Sequence, residues 1–360
     1  MSNKRHINWV NTLFLTIIPI IGVVGTVLFC VYSLVSWPTW ILAAFMLTAG
    51  GLSITAGYHR LFAHRAYKAA WPVRLFFVLF GAATFEGSVL EWSTDHRNHH
   101  RFTDTDKDPY SVKKGFWHAH IGWLFGLDEK SRDYSNVDDL QKSKLLRFQN
   151  RYYRAFAIGM GFLFPTAIAA LWGNPLGGLI VAGALRITVG HHATFCINSV
   201  CHLFGKRTYS DKISARDNWL TALITFGEGY HNYHHQFALD YRNGVRFYHF
   251  DPSKWLIRGL SYVGLTSNLH RVPKYRIIQA RIEAHQRQLA TKPQAQHAVL
   301  EQLHDAILQM IGKIREFEKQ YAESKLKSYR VKLKQAKSDL HNLFNTWKRA
   351  RTLRNTAIMS

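Results

Sequence analysis

The sequence predicts an all-α integral membrane protein with four transmembrane helices and a cytoplasmic helical cap that holds a histidine-rich di-metal site. Three observations lead to this fold class: long uncharged apolar runs, an uneven distribution of Lys and Arg, and histidines at helical spacing. As a helix rising about 1.5 Å per residue, each run is long enough to cross about 30 Å of hydrocarbon. The predicted spans are about 10–35, 39–58, 155–172 and 175–199.

The positions of Lys and Arg predict how these spans are oriented. The connections 36–40 and 172–175 contain neither residue, whereas both are frequent in 59–154 and beyond 202. Because positively charged loops remain in the cytoplasm, we expect both termini and the large loops on that side.

One further apolar segment, 71–92, contains Arg74, Glu86 and Glu91. We predict an interfacial helix there, with its charged residues at the edges. The alternative is a fifth span, which would leave the histidines before and after it on opposite faces of the membrane.

Histidines are concentrated in three short motifs: HRLFAH at 59–64, HRNHH at 96–100 and HNYHH at 231–235. In the second and third motifs the spacing i, i+3, i+4 directs three imidazoles to one face of a helix. In the first, His59 and His64 would diverge by about 140° on an α-helix. We therefore expect the second span to end near His59 and the chain to turn before His64.

Eight imidazoles on one side of a membrane predict a metal site. Neutral imidazole suits Zn, Cu, Fe and Ni, and this many nitrogen donors exceeds the need of one ion, so two ions are expected. An iron pair would fit oxygen chemistry and a zinc pair would fit hydrolysis, and spacing alone leaves both open. A His-rich metal transporter is the alternative from another class, but it would need ligands within the spans, and these motifs lie at the membrane edge.

The histidine motifs and their flanking phrases resemble the membrane fatty acid desaturases. The phrases are TAGYHRLFAHRAY (55–67), EWSTDHRNHHRFTDTDKDPY (91–110), NSVCH (198–202) and FGEGYHNYHHQFALDYRNG (226–244). They are most similar to the stearoyl-/acyl-CoA Δ9 desaturase branch, especially its bacterial members, and the resemblance covers roughly 10–260. It therefore suggests a bacterial inner membrane protein.

The resemblance implies a di-iron centre with nine histidine ligands and an asparagine, Asn198, that reaches one iron through water. It implies no catalytic side chain beyond the metal centre. The matching ligands are His59, His64, His96, His99, His100, His202, His231, His234 and His235.

The implied reaction is the O2-dependent introduction of a cis double bond, at Δ9, into a long-chain acyl-CoA. An acyl-lipid desaturase and a related di-iron fatty acyl hydroxylase are the alternatives. The acyl chain needs an apolar tunnel, for which the spans and the segment 71–92 offer aromatic residues. They are Phe76, Phe77, Phe80 and Phe85.

Several polar residues near the motifs are candidates for supporting roles. Carboxylates often orient metal-bound imidazoles; the candidates by proximity in sequence are Asp95, Asp104, Asp106, Asp217 and Glu228. Arg186 falls near mid-bilayer, where a charge needs an internal polar partner. His191 and His192 lie outside the motifs, and we expect them to face the protein interior.

The chain contains no motif for a fused haem or flavin cofactor. It has no HPGG phrase and no G-x-G-x-x-G, and its three cysteines, Cys30, Cys196 and Cys201, have no iron–sulfur spacing. The electrons must therefore come from a separate donor, of ferredoxin or cytochrome b5 type with its reductase.

Composition divides the chain into a membrane desaturase domain, 1–270, and a basic amphipathic helical extension, 271–360. The extension has 19 Lys and Arg against 7 Asp and Glu, within a net charge of +23. No nucleic-acid motif accompanies this charge, so membrane lipids are the expected partner. Two heptad stretches could form a helical hairpin, pair between protomers or lie on lipid, and we expect contact with the membrane or an acidic electron donor.

Overall fold

The computed structural model describes residues 6–32, 34–127, 133–290 and 298–357. The chain divides into two compact units. Unit 1 comprises Met1–Lys206 and Ile213–Arg271, and unit 2 comprises Arg207–Lys212 and Val272–Ser360.

Among the described residues, four helices are long and apolar enough to cross a membrane, which confirms the predicted fold class. They are span 1, Trp9–Val31; span 2, Trp37–Ala63; span 3, Tyr153–Ala170; and span 4, Pro175–Leu203. Spans 2 and 4 extend beyond the apolar runs, so that they carry His59 and His202. This extension is possible because both ends are buried in protein, where polar side chains find partners.

Three of the spans contain a wider, π-helical segment. These segments are Ser53–Ala63, Gly159–Leu163 and Gly178–Leu185. The α-helical parts around them are Trp37–Leu52, Tyr153–Ile158, Phe164–Ala170, Pro175–Gly177, Arg186–Asn198 and Val200–Leu203. Such i→i+5 turns are rare and frequently lie at functional sites.

Two glycines allow close contact between helices. A methyl group at Gly22 of span 1 would lie 2.7 Å from the backbone nitrogen of Leu185 in span 4. One at Gly57 of span 2 would lie 2.6 Å from the Phe77 side chain. Small residues at these positions therefore determine how closely the elements pack.

Arg186 is 4% exposed and lies within span 4. Its guanidinium donates hydrogen bonds to the carbonyl oxygens of Ala182 at 3.0 Å, Ala83 at 2.7 Å and Gly161 at 2.9 Å. The prediction of an internal polar partner is confirmed, and the partners are backbone carbonyls. Arg186 thereby joins span 4 to span 3 and to the loop after residue 82.

The segment 71–92, predicted as one interfacial helix, contains parts of two helices. The first is Trp71–Ala82, and the second begins at Val89. Between them Phe85 and Gly87 have φ angles of 61° and 96°, which a continuous right-handed helix does not allow. The prediction of a single helix was therefore wrong, and the first helix, with 12 residues, is too short to cross a bilayer.

The rest of unit 1 consists of short helices and two pairs of two-residue strands. The strands His6–Ile7 and Gly126–Leu127 pair antiparallel, as do Lys68–Ala69 and Thr266–Ser267. The α-helices are Val89–Phe102, Phe116–His120, Asp138–Gln141, Lys144–Arg151, Trp219–Ile224, His231–Gln236 and Pro252–Tyr262. Short 3₁₀-helices are Val112–Lys114, Gly122–Phe125 and Ser135–Val137.

An apolar core in unit 1 fixes the elements that carry the first two histidine motifs. It includes Tyr58 and Phe62 of span 2, Phe77, Leu90 of the second-motif helix, and Ile257. Each of these side chains is buried, and burying one apolar side chain of this size contributes about 1.5–3 kcal/mol.

Unit 2 contains three helices that share one apolar core. They are Lys274–Ala290, Ala298–Ser324 and Lys327–Ala357. Leu300, Ile307 and Ile314 of the first heptad stretch and Leu340 and Trp347 of the second are buried there. The two heptad stretches thus pack against each other as a helical hairpin.

Candidate metal centre

The first histidine pair lies at the π-helical end of span 2, with His59 inside the segment and His64 as its C-terminal cap. The backbone nitrogen of His64 donates to the carbonyl oxygen of His59 at 3.0 Å, an i→i+5 bond. This wider turn brings residues five apart onto one side, and the two imidazole centroids are 4.8 Å apart. The expectation that the helix ends near His59 was therefore wrong, because the helix widens there and continues to Ala63.

The second motif lies on the helix Val89–Phe102, whose first turn has a reciprocal cap. The Ser88 hydroxyl accepts from the Glu91 nitrogen at 3.2 Å, and the Glu91 carboxylate accepts from the Ser88 nitrogen at 2.9 Å. This capping box fixes where the helix begins and therefore which way its histidines point. The third motif lies on the short helix His231–Gln236.

The histidines of these motifs form two groups, and their candidate ligand atoms lie within 4.8 Å of one another in each group. The five-histidine group is His59, His64, His96, His100 and His234. The four-histidine group is His99, His202, His231 and His235. Together they contain the nine histidines that the resemblance implies, and His202, which spacing alone did not identify, is among them.

The second and third motifs each divide between the two groups, whereas spacing suggested that each converges on one point. On an α-helix His99 and His100 are about 100° apart, so they flank His96 on opposite sides. His100 joins His96 in the five-histidine group and His99 turns to the other. The third motif divides likewise: His234 belongs to the five-histidine group, and His231 and His235 belong to the four-histidine group.

The Nε2 atoms converge at distances typical of ligands around a metal ion. In the five-histidine group, His234 Nε2 lies 2.9 Å from His59 Nε2 and 2.9 Å from His100 Nε2, and His64 and His96 approach to 2.7 Å. In the four-histidine group the corresponding distances are 3.1–3.2 Å. Imidazoles bound at about 2.0–2.1 Å have neighbouring nitrogens about 3 Å apart.

Carboxylates determine which imidazole nitrogen carries the hydrogen. His59 Nδ1 lies 2.8 Å from Glu228, and His99 Nδ1 lies 2.9 Å from Asp108. Each Nδ1–H therefore donates outward, and the Nε2 lone pair faces the other histidines. Lone pairs directed at one another repel unless a cation lies between them, so these residues fit a metal ion in each group.

A third imidazole is held through a hydroxyl group. The Ser214 hydroxyl lies 2.6 Å from His202 Nδ1 and donates to Asp104 at 2.5 Å. Of the five carboxylates predicted from sequence, Asp104 and Glu228 thus support the histidines.

Asp108 and Ser214 were not predicted. Asp108 follows the second motif by eight residues, so its proximity in sequence could have identified it. Ser214 is distant in sequence from all three motifs, so no local signal could.

The other predicted polar residues are placed differently. Asp217 accepts a hydrogen bond from the Tyr233 nitrogen at 3.0 Å, at the start of the third-motif helix. Asp95 lines the cavity described below, and Asp106 lies on its exposed side without contacting the imidazoles. Asn198 is the last residue of the helix Arg186–Asn198 and lines that cavity together with His231.

A buried ionic network supports the five-histidine group from behind. Arg60 is 1% exposed and contacts Glu228 at 2.8 Å and Asp251 at 3.0 Å. Burial would raise the Glu228 pKa, but His59 and Arg60 outweigh it, so the pKa is lowered and Glu228 remains a carboxylate. Glu228 thus accepts from His59 and Arg60 at once.

Six histidines of the two groups lie outside the spans and have a pKa that favours the neutral imidazole. Burial disfavours the imidazolium form and lowers each pKa well below its usual value, and neighbouring imidazoles lower it further. Neutral imidazole is the form that binds metal. The residues concerned are His64, His96, His100, His231, His234 and His235.

A cavity of about 2250 Å³ reaches both histidine groups. His59, His96, His99 and His231 are in its wall, and apolar residues of spans 1, 2 and 4 continue it. Its volume is larger than that of ordinary small-molecule pockets, which is about 300–1,000 Å³. Of the four phenylalanines expected to line a tunnel, Phe85 does, whereas Phe76, Phe77 and Phe80 pack elsewhere.

The two histidines outside the motifs also line this cavity. His191 Nε2 donates to the Thr84 carbonyl at 2.7 Å, and His192 Nδ1 lies 3.1 Å from His120 Nε2. His191 is buried, as expected, whereas His192 is exposed, so the expectation that both face the interior was wrong for His192. Neither belongs to a histidine group.

The fold and this site define a helical membrane protein whose histidine clusters suggest a metal site. The family model described as fatty acid desaturase matches residues 35–265. A probable acyl-CoA desaturase from Schizosaccharomyces pombe is 45% identical over 287 residues, 79% of this chain and 59% of that protein. Acyl-CoA desaturase 1 from Saccharomyces cerevisiae is 41% identical over 294 residues, 80% and 56% of the two chains. Human stearoyl-CoA desaturase is 39% identical over 252 residues, which are 68% of this chain and 70% of that protein.

The chain belongs to the fatty acid desaturase family. It spans less than two thirds of the length of the two fungal relatives. These relatives are fungal and mammalian and support the stearoyl-/acyl-CoA branch, but they give no support to the bacterial type or the bacterial inner membrane that the phrases suggested.

Proposed function

We propose that this chain is an O2-dependent desaturase that introduces a cis double bond, at Δ9, into a long-chain acyl-CoA. The observation that carries the proposal is the convergence of nine imidazoles, in two groups, at the wall of a largely apolar cavity. The relatives' names, acyl-CoA desaturase and stearoyl-CoA desaturase, support the substrate class.

The proposed cofactor is a pair of iron ions, one for each histidine group, with Asn198 joined through water to the four-histidine group. When bound, such a pair supplies the oxidising power for removing hydrogen from an unactivated methylene pair, which no side-chain acid or base has. The nine histidines would be the ligands. Glu228, Asp108 and the Ser214–Asp104 pair would hold the rings in place, and Asp95, Asp106 and Asp217 would act at greater distance.

The chain's own part is positioning. Rings whose Nδ1–H is held by Glu228 or Asp108 cannot rotate freely, so the Nε2 lone pairs are preorganised. Apolar residues in the cavity wall would contact the acyl chain and keep water from the carbons to be dehydrogenated. Side chains from spans 1 and 4 that would contact the chain include Phe14, Ile187 and Phe195.

The proposed setting is a membrane with both termini and the histidine groups on the cytoplasmic side. The partners are the acyl-CoA or acyl lipid, O2, the surrounding lipid and a separate electron donor of ferredoxin or cytochrome b5 type. The domain 1–270 would carry the reaction, and the extension 271–360 would contact membrane lipid or an acidic donor.

Expression in a desaturase-deficient host tests this function. Mass spectrometry should find a new cis double bond at Δ9 in its fatty acids, and a His99→Ala variant should give none. An ¹⁸O-labelled hydroxyl product from heavy-oxygen gas would instead identify a hydroxylase. Conversion of acyl chains already in phospholipid, without conversion of acyl-CoA, would identify an acyl-lipid desaturase.

A further inference from the structure

The loop 245–250 in unit 1 presents aromatic and basic side chains to solvent, outside the four spans. Phe247 is 88% exposed and Tyr248 is 59% exposed. Arg246 is also exposed, and its guanidinium carbon lies 5.6 Å from the centre of the Tyr248 ring. Exposed aromatic side chains beside arginine are typical of protein contact surfaces.

This loop has a fixed conformation although its tip is exposed. The Lys254 ammonium lies beneath it and donates to the carbonyl oxygens of Gly244 at 2.6 Å, Arg246 at 2.8 Å and His249 at 3.0 Å. The Asp251 carboxylate accepts from the Gly244 nitrogen at 2.9 Å. The aromatic residues are therefore presented by a preorganised backbone, which lowers the entropy cost of binding.

The surface formed by 241–271 carries positive charge. Of its five Lys and Arg, Arg242 and Lys254 are buried, and Arg242 pairs with Asp240 just outside the stretch. Its one acidic residue is Asp251. Asp251 is fully buried and paired with Arg60, so it does not offset the exposed cations. Arg246 and Arg258 are exposed. A partner that matches this surface is acidic, because complementary charge steers encounter.

A series of ring contacts connects the loop with the four-histidine group. The Tyr248 and His249 centroids are 5.3 Å apart, and His249 stacks on Tyr230 at 4.4 Å with an interplanar angle of 7°. Tyr230 directly precedes His231 in the chain. Gly244 makes the stack possible, because a Cβ there would lie 2.7 Å from His249 and 3.1 Å from Tyr230.

We propose that the loop 245–250 is the docking surface for an acidic one-electron carrier protein, and that Tyr248, His249 and Tyr230 form the contact route from it to the four-histidine group. This inference rests on the proposed function. Each docked carrier is oxidised by one electron. Two such electrons, two protons from solvent and the two hydrogens removed from the acyl chain together reduce one O2 to two water molecules.

The ring contacts favour a redox partner over a lipid surface. Aromatic and basic residues also anchor proteins at membrane interfaces, but anchoring needs no connection to the metal site. Electron transfer does need one, because tunnelling falls steeply with the gap between contacts. Weak redox encounters also bury little area, so a small patch is sufficient.

The direct test is binding of two acidic carriers, a cytochrome b5-type haem domain and a ferredoxin, to the full-length protein in detergent. Arg246→Glu should weaken binding of the carrier that docks by about tenfold at low salt, and less at high salt. Arg151→Glu is the matched control, since Arg151 also lies over an exposed tyrosine, Tyr152, at 5.5 Å. It should leave affinity within about twofold.

A second variant separates docking from the electron route. Tyr248→Leu retains apolar bulk, so binding should change by less than about threefold. Single-turnover oxidation of the prebound carrier, followed by its own absorbance, should slow about tenfold or more. Desaturation driven by a small chemical reductant should be unchanged in Arg246→Glu and Tyr248→Leu, because it does not need the carrier. If the parent protein does not desaturate with this reductant, the proposed function is rejected rather than the docking surface.

Three results would overturn the inference. Equal loss of affinity in Arg246→Glu and Arg151→Glu would mean that general charge controls binding. If Lys334→Glu, in unit 2, lowers the affinity for the carrier and Arg246→Glu does not, the docking surface lies on the C-terminal extension. A Phe247→Trp variant adds tryptophan fluorescence at the loop. If bromine-labelled lipid in nanodiscs quenches this added fluorescence, the loop lies in the membrane.

Discussion

The five-histidine and four-histidine groups are adjacent and built from the same motifs, yet they are supported in different ways. The five-histidine group takes His59 and His64 from the π-helical end of span 2 and is supported by Glu228 within an ionic network. The four-histidine group takes one imidazole, His202, from the end of span 4 and is supported by Asp108 and Ser214, which lie on loops.

This difference shows how two sites can share elements and still differ in the contacts that hold their imidazoles. Buried charges that neutralise one another hold the five-histidine group, whereas hydrogen bonds from loop residues hold the other. With one ligand fewer, the four-histidine group has room for water, which the proposed Asn198 contact requires. We therefore expect the four-histidine group to lose metal first.

The largest effects should come from removing a ligand from each group in turn. His99→Ala leaves three imidazoles, and His100→Ala leaves four. Both should lower desaturation more than about 100-fold, beyond the usual effect of an outer partner. Metal analysis should show that His99→Ala loses about one ion per chain, whereas His100→Ala retains more metal. His192→Ala is the control and should retain two ions; equal losses in the first two variants would contradict the comparison.

The carboxylates that hold the two groups should differ in their effect on folding. Glu228→Gln and Asp108→Asn should each weaken metal affinity about 10–100-fold. Glu228→Gln also deprives buried Arg60 of one of its two carboxylates, so it should lower the free energy of unfolding by about 3 kcal/mol. Asp108→Asn should lower the free energy of unfolding clearly less than Glu228→Gln does. Thermal melts of metal-free protein measure this, and identical melting temperatures would exclude the ionic network as the distinguishing feature.

A smaller effect is expected from the hydroxyl between His202 and Asp104. Ser214→Ala removes the group that bonds both side chains. Metal affinity of the four-histidine group should fall about tenfold, and that of the five-histidine group should not change. Ser214→Thr keeps a hydroxyl and should restore affinity. If threonine behaves like alanine, the hydrogen bonds through Ser214 are not what holds His202.

The smallest effect on metal binding is expected at Glu86, which reaches the five-histidine group only through Trp92. Trp92 Nε1 donates to Glu86 at 3.3 Å, and its ring stacks on His96 at 4.8 Å. Burial raises the Glu86 pKa from its usual 4.5 to about 7, although hydrogen bonds from Trp92 and Thr194 oppose the rise. The folded protein therefore binds the Glu86 proton more tightly than the unfolded chain, and loses stability as pH rises from about 4.5 to about 7.

Glu86→Gln removes this cost. Its stabilising effect should be below about 1 kcal/mol at pH 5 and grow to about 3 kcal/mol at pH 8, with metal content unchanged. Thermal melts at the two pH values give the comparison. A difference that does not vary with pH would show that the Glu86 pKa is the same in the folded protein and in the unfolded chain, and would contradict the raised value.

Much of the fold follows from local patterns in the sequence. Three uncharged runs and a fourth that is interrupted by Arg186 predict four spans, because length and hydropathy largely determine whether a helix can cross a membrane. The i, i+3, i+4 spacing correctly placed the second and third motifs on helices. The hairpin of unit 2 corresponds to two heptad stretches, but spacing did not decide among three arrangements.

What the sequence did not reveal depends on geometry that no local pattern encodes. The 140° divergence of His59 and His64 assumed an α-helix, and the π-helical widening of span 2 removes it. The break at Phe85 and Gly87 needed knowledge of the backbone angles. The division of each motif between two groups, and the pairing of Ser214 with His202, depend on how distant segments pack.

The most direct test of the account is the metal content of the purified full-length protein, measured by elemental mass spectrometry against a quantified chain concentration. We expect two iron ions per chain in the parent protein, and close to one in His99→Ala. One ion per chain in the parent protein, or zinc as the only metal bound, would contradict two histidine groups that each hold an iron.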